Sequence, residues 1–171
     1  DLKPLNRLSA LLLAAGFLFL PSGVQAADIS MLKYFDALSM PIRVVLNNDL
    51  MDDCLPQPQS LKDVYEKEMR HLGFRIAQEG ESGATFSVAT LGGATYNKVG
   101  LRTGCLAMLS VQFDIYAPVV APDGTTPMMM VQAYHASGLI DSGENSLQID
   151  LEDGARPNVN TFYLVVLGAK D

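Results

Sequence analysis

Two histidines and two cysteines are the side chains best suited to chemistry in this 171-residue chain, and their spacing limits what they can do. His135 precedes Ser137 and, further on, Asp141. A serine nucleophile needs its base within hydrogen-bond reach and a carboxylate behind the base; residues two apart on a strand share a face without forming that line. The G-x-S-x-G elbow is absent as well. His71 falls near the end of a helix-like stretch, where an imidazolium suits the helix dipole, and it reads as a surface or capping residue. No catalytic residue is assigned, and the chain is not read as an enzyme.

Asp49, Asp52 and Asp53 bring carboxylates together but lack the order of an EF-hand loop, so they read as a solvated acidic loop. Met128, Met129 and Met130 offer thioethers, which suit Cu(I). Alternation along a strand would split them between two faces, so they are expected to serve core and surface packing. Gly92-Gly93 lacks the Lys and Ser/Thr of a phosphate-binding loop. Neither a metal nor a cofactor is expected.

Cys54 and Cys105 are too far apart in sequence for a redox C-x-x-C pair. Their compartment decides their fate, and the first residues speak to it. Lys3 and Arg7 precede an apolar run from Leu8 to Leu20, closed by Pro21-Ser22-Gly23 and then by Val24-Gln25-Ala26. A positive end, an apolar middle and small residues in the order V-x-A make a secretory signal peptide, expected over residues 1–26 with cleavage after Ala26 or Ala27, the alternative being a leader retained as an N-terminal anchor. The apolar run is shorter than the roughly 20 residues a spanning helix needs. No Cys near the cleavage point could take a lipid, so no stable membrane insertion is expected after cleavage. Residues 27–171 are read as one periplasmic or secreted domain, where oxidation favours a Cys54–Cys105 disulfide.

With 49% apolar and 18% charged residues the chain is too apolar for a disordered one. Loss of the leader removes Lys3, Arg7 and Asp1 and moves the formal net charge from −7 to −8. Such a surface repels phosphate backbones, and no basic run interleaved with aromatics offsets it, so nucleic acid is excluded as a partner.

The elements that must position these residues can be read in order. Ile29, Leu32, Phe35 and Leu38 recur at helical spacing behind Asp28, predicting a short helix or packed arm ended by Pro41. Ile42–Leu46 is β-branched and reads as a strand. Ser60 with Asp63 resembles a capping box, and Leu61, Val64, Tyr65, Met69 and Leu72 share one face, predicting a helix from Leu61 to Leu72 with Gly73 as its left-handed stop. Phe74–Ala77 follows as a strand, so a βαβ unit with parallel strands is expected. Alternation then marks Phe86–Leu91, Leu106–Tyr116 and Met129–Tyr134 as antiparallel strands. The last two form a hairpin with a loose tip from Pro118 to Pro127. Residues Gly92 to Gly104 read as a second long connection. In the tail, Leu151, Ala155, Val159, Phe162 and Val166 keep a helical period, while Phe162–Leu167 has the composition of a buried strand and Gly154 and Pro157 weaken a helix start. Helix and strand both stay open there.

The strand Ile42–Leu46, the capped helix running into Phe74-Arg75-Ile76, and the strands that follow have an order that resembles small envelope proteins of Gram-negative bacteria, the LptE, YajG and LpoB type, loosely related in shape to the N-terminal domain of TolB. The resemblance implies an α+β domain, a βαβ unit followed by antiparallel strands, whose mixed sheet carries one or two helices on one face. It also implies a non-enzymatic role in assembling or regulating envelope machinery. The chain departs from that pattern in lacking a lipidated Cys and in placing Gly154 and Pro157 where a closing helix would start.

By elimination, the expected function is binding of an envelope protein, through unpaired strand edges or through loop residues Tyr96, Lys98, Arg102 and Asp123. The alternatives are a periplasmic carrier with a small ligand or lipid held between sheet and helices, and a hydrolase using His135.

Overall fold

The computed structural model describes Asp36 and residues 40–143 and 146–168. The signal segment and, apart from Asp36, the arm from Asp28 to Leu38 lie outside the described residues. The elements run β1 (Ile42–Leu50), α1 (Pro58–His71), β2 (Ala84–Tyr96), β3 (Arg102–Pro118), β4 (Met128–Gly143) and α2 (Leu147–Gly168). The four strands form one mixed sheet in the order β1-β2-β3-β4, with β1 parallel to β2 and the other pairs antiparallel. This is an α+β fold.

Both helices cover the same sheet face, since Tyr65 of α1 and Phe162 of α2 both reach the ring of Phe86, at 6.0 and 5.2 Å between centroids. Alternation selects the covered side chains: Phe86, Val88 and Thr90 of β2, and Ala107, Leu109, Val111, Phe113 and Ile115 of β3, are buried. Against them lie Leu61, Tyr65 and Met69 from α1 and Leu147, Leu151, Ala155, Val159, Phe162 and Val166 from α2.

The tail is thus a helix over Leu147–Gly168, and its period outweighs its strand-like composition. Every residue of the period seen in the sequence is buried, because three- and four-residue steps put these positions on one face of a helix. Pro157 lies inside α2 on its exposed side, where the carbonyl it leaves without a helical partner can meet water.

Three expectations are corrected. The parallel partner of β1 is β2, in register from Ile42↔Ala84 to Leu50↔Gly92, whereas the stretch from Phe74 to Ala77 contributes a single bridge, Ile76 to Ile42. A chain turning at Gly80 (φ +79°) leaves that bridge and re-enters beside Pro41, and β2 supplies nine rungs in place of one. Helix α1 starts at Pro58, ahead of the Ser60 cap: the fixed φ of proline suits the first helical turn, and Ser60 is already inside the helix. The backbone of Gln57, at the cap position, is instead held by Gln148 of α2, whose Oε1 accepts its N–H at 3.3 Å and whose Nε2 donates to its carbonyl at 3.2 Å. Residues Gly92 to Gly104 are largely strand, leaving only a turn between Tyr96 and Arg102.

The end of α1 follows its sequence signal. Gly73 sits at φ +88°, its N–H donates to the Arg70 carbonyl, and that of Phe74 to the Met69 carbonyl, each at 3.1 Å. These bonds close the last turn as a Schellman motif.

Tyr65 makes the core pH-sensitive at the alkaline end. Burial pushes its phenol up to about 12, while the hydrogen bond from Asn158 Nδ2, 3.0 Å away, acts in the opposite direction. The neutral phenol is favoured in the folded state, so its contribution is fully present below the unfolded value near 10 and is lost as pH rises through about 12. Denaturant titrations are expected to show a loss of roughly 2–3 kcal/mol between pH 10 and 12, and Tyr65→Phe is expected to remove most of that slope.

Candidate functional site

One end of the sheet gathers the chain's sulfur chemistry. Asp52 and Asp53 adopt left-handed backbone angles (φ 59° and 54°), a conformation aspartate tolerates better than most residues, and they turn the chain after β1 so that Cys54 faces β3. The Asp52 carboxylate accepts the Ala94 N–H at 3.3 Å and fixes this turn to β2. Cys54 and Cys105 are joined in a disulfide with their Cα atoms 6.0 Å apart, and both are buried. Among the described residues no cluster of three or more acidic, His or Cys side chains is arranged to hold a metal.

Arg102 belongs to this site. Its guanidinium lies 3.1 Å from Cys105 Sγ and 3.6 Å from Cys54 Sγ. Simple alternation would put residues 102 and 105 on opposite faces. The register shift between Thr95 and Tyr96 leaves Thr103 without a residue directly opposite it in the ladder, so Arg102 opposes Tyr96 and returns to the face of Cys105. A small cleft of about 80 Å³, lined by Asp53, Cys54, Pro56, Arg102, Cys105, Leu147 and Gln148, opens onto the disulfide.

The four loop residues singled out from sequence do not make one site. Tyr96 and Lys98 are exposed at the β2–β3 turn, where Asn97 Oδ1 accepts the N–H groups of Val99 and Leu101, both at 3.0 Å, and both side chains project into solvent. Arg102 points inward to the sulfurs. Asp123 lies beyond the other end of β3, roughly 50 Å away at the rise of an extended strand. There the Thr125 hydroxyl and N–H donate to its carboxylate, at 2.7 and 2.9 Å, and hold it below the usual range.

The sheet face away from the helices carries the remaining candidates. His135 Nε2 lies 3.0 Å from Ser110 Oγ, so its partner is neither Ser137 nor Asp141. Ser137 stands opposite Ser110, and Asp141 opposite Leu106. No carboxylate is hydrogen-bonded to the imidazole among the described residues. Next to this polar group runs an apolar row across three strands: Leu91 opposes Met108, which opposes Leu139. Their exposures are 53%, 42% and 74%; Leu106 beside them and the pair Tyr116–Met130 further along the same face are exposed as well. Sequence reasoning missed the row because Leu139 follows the bulge at Ala133, past the stretch whose alternation was legible. The three methionines at the start of β4 are all exposed, which corrects their expected share in the core. Met128 and Met130 stand opposite Pro118 and Tyr116 on the open face, and Met129 opposite Ala117 on the other.

The space in which a carrier would hold its ligand is occupied by Tyr65, Phe86, Phe113 and Phe162. A wider open groove of about 420 Å³ lies outside the core, between β1 and the start of α1, lined by Arg43, Leu46, Asn48 and Gln59 among others. Among the described residues no helix is long and apolar enough to cross a membrane.

No family model and no curated protein matches the chain. Solved structures similar to it include the PelC dodecamer from Paraburkholderia phytofirmans, at 12% identity and a TM-score of 0.45, covering 71% of this chain and 86% of that one. A minor lipoprotein from Acinetobacter baumannii is similar at 13% identity and a TM-score of 0.33, covering 71% and 90%. The rare lipoprotein B from Shewanella oneidensis is similar at 9% identity and a TM-score of 0.31, covering 75% and 95%. These are likenesses to bacterial envelope lipoproteins in the arrangement of elements, and nothing about activity or partners follows from them.

Proposed function

We propose that the chain is a non-enzymatic, exported accessory domain of the bacterial cell envelope, of the LptE, YajG and LpoB type, which binds a protein partner through the uncovered side of its sheet. The observation that carries this reading is the row Leu91–Met108–Leu139, exposed on an open face and ending at the edge strand β4. Side chains of this size left in water on a well-packed domain mark interaction surfaces. Strand β4 spans sixteen residues, with no lysine, arginine or proline to discourage pairing, and no strand among the described residues lies along its outer edge. A partner with an apolar centre and an extended edge segment satisfies both features. The disulfide and the leader-like first residues support export.

A photoreactive side chain at Leu139 is expected to give a discrete adduct with one protein in envelope fractions of producing cells, and one at the exposed Lys67 of α1 none. Leu139→Lys is expected to change folding stability by no more than about 0.5 kcal/mol and to reduce that adduct at least about tenfold at a neighbouring probe site. Equal labelling from both positions, or none from Leu139, would remove the basis of this reading. The mature protein is expected to begin at Ala27 or Asp28, as N-terminal sequencing would show.

A further inference from the structure

We propose that Cys105 is the reactive thiol of the pair, held as a thiolate by Arg102, and that formation of the disulfide begins there. Three features of the cleft point to it. Arg102 lies nearer to Cys105 Sγ (3.1 Å) than to Cys54 Sγ (3.6 Å). The guanidinium is placed there by a bulge in β3, so it belongs to the strand that carries Cys105. The cleft is lined by both sulfur-bearing residues, so it marks the side of the fold from which the pair is reached.

The charges around Cys105 set the sign. Arg102 contributes a cation in direct contact, and Asp53, from the loop after β1, lines the same cleft without a bond to either sulfur. From the other side, Ser142 of β4 opposes Cys105 and donates its hydroxyl to Asp150 of α2, which brings a second carboxylate to this end of the sheet. Leu147 and Gln148 of α2 complete the lining and carry no charge. Burial disfavours a thiolate, and a guanidinium at hydrogen-bond distance favours it.

In the reaction, the Cys105 thiolate attacks one sulfur of an external disulfide, forming a mixed disulfide and releasing one thiolate. Cys54 then loses its proton to solvent and attacks the Cys105 sulfur, closing the protein disulfide and releasing the second thiolate. Each released thiolate is protonated to the extent that its pKa lies above the ambient pH, and two electrons pass from the protein dithiol to the external disulfide.

The test uses the full chain, reduced with dithiothreitol, freed of reductant and pulsed with substoichiometric iodoacetamide from pH 6 to 10, with peptide mapping of each cysteine. Cys105 is expected to titrate about one unit below the free-thiol value of roughly 8.5. At pH 7 that gives about eightfold more thiolate, and after the lower nucleophilicity of a more acidic thiol, about threefold faster alkylation than at Cys54. Oxidised glutathione, quenched early with acid, is expected to be found first on Cys105. Arg102→Gln should move the Cys105 midpoint up by about a unit and erase the preference, while Arg102→Lys should keep part of it. Joint titration of both cysteines near 8.5 overturns the proposal, and so does a reduced chain that has unfolded, which titrates in that manner. A lead by Cys54, or an Arg102→Gln profile unchanged from the parent, overturns it equally.

Discussion

Phe162→Ala is expected to lower stability by about 3–5 kcal/mol, the range for removing a fully buried aromatic side chain. Phe162 has no exposed surface, and its ring meets four others: Phe113 at 4.7 Å, Phe86 at 5.2 Å, Phe74 at 5.4 Å and Tyr134 at 5.5 Å. Those four belong to β3, β2, the segment closing α1, and β4. One side chain therefore joins α2 to three strands and to the end of the other helix. Its removal takes away the apolar transfer term and leaves a cavity among rings too large to collapse into it. Thermal denaturation should show a fall in Tm of roughly 10–20 °C for a domain of this size. Leu164→Ala, two residues along the same helix but 67% exposed, should stay within about half a kcal/mol of the parent. A Phe162→Ala loss below about 1 kcal/mol would mean that α2 does not pack on this face, and the two-layer arrangement would fall with it.

What the sequence made legible, and what it hid, divides along one physical line. Signals that repeat over several turns or rungs were readable, because each repetition adds to the same pattern. Leu151, Ala155, Val159, Phe162 and Val166 keep step for four turns and form the buried face of α2, although the strand-like composition of Phe162–Leu167 left the type of that element open. The alternation of Leu109, Val111, Phe113 and Ile115 marked the covered face of β3 in the same way. Single-residue events were not readable. The extra residue at Thr103 turns Arg102 from a loop cation into a neighbour of the disulfide, and the one at Ala133 shifts the phase along β4. A bulge reverses which face a side chain occupies, yet it leaves no period of its own. Non-local choices were hidden as well. The segment Phe74–Ala77 has the composition of a strand, but only the tertiary structure shows that β1 takes nine rungs from β2 and one from Ile76. The candidate site suffered most, since the apolar row exists only once three strands are set side by side.

Loss of the disulfide carries the other large expected effect. Cys54 and Cys105 are separated by 51 positions, and for a loop of that length the chain-entropy model gives about 4 kcal/mol of stabilisation through the unfolded state. The link ties the turn after β1, just ahead of α1, to the central strand β3, so it restrains elements that meet again only through the folded core. The double variant Cys54→Ala with Cys105→Ala is expected to lower Tm by roughly 15 °C, with a small added loss from two vacated buried positions. Most of the effect should lie in the denatured ensemble, which gains freedom and surface when the loop opens. The denaturant m-value should therefore rise in the double variant, because a less constrained unfolded chain exposes more area. This separates the disulfide from Phe162→Ala, whose loss lies in folded-state packing and whose m-value should stay near that of the parent. A double variant that keeps its stability to within about 1 kcal/mol would show that the unlinked chain stays compact enough to supply the restraint itself, and the disulfide would then have to be explained by its chemistry at Cys105 instead of by its hold on the fold.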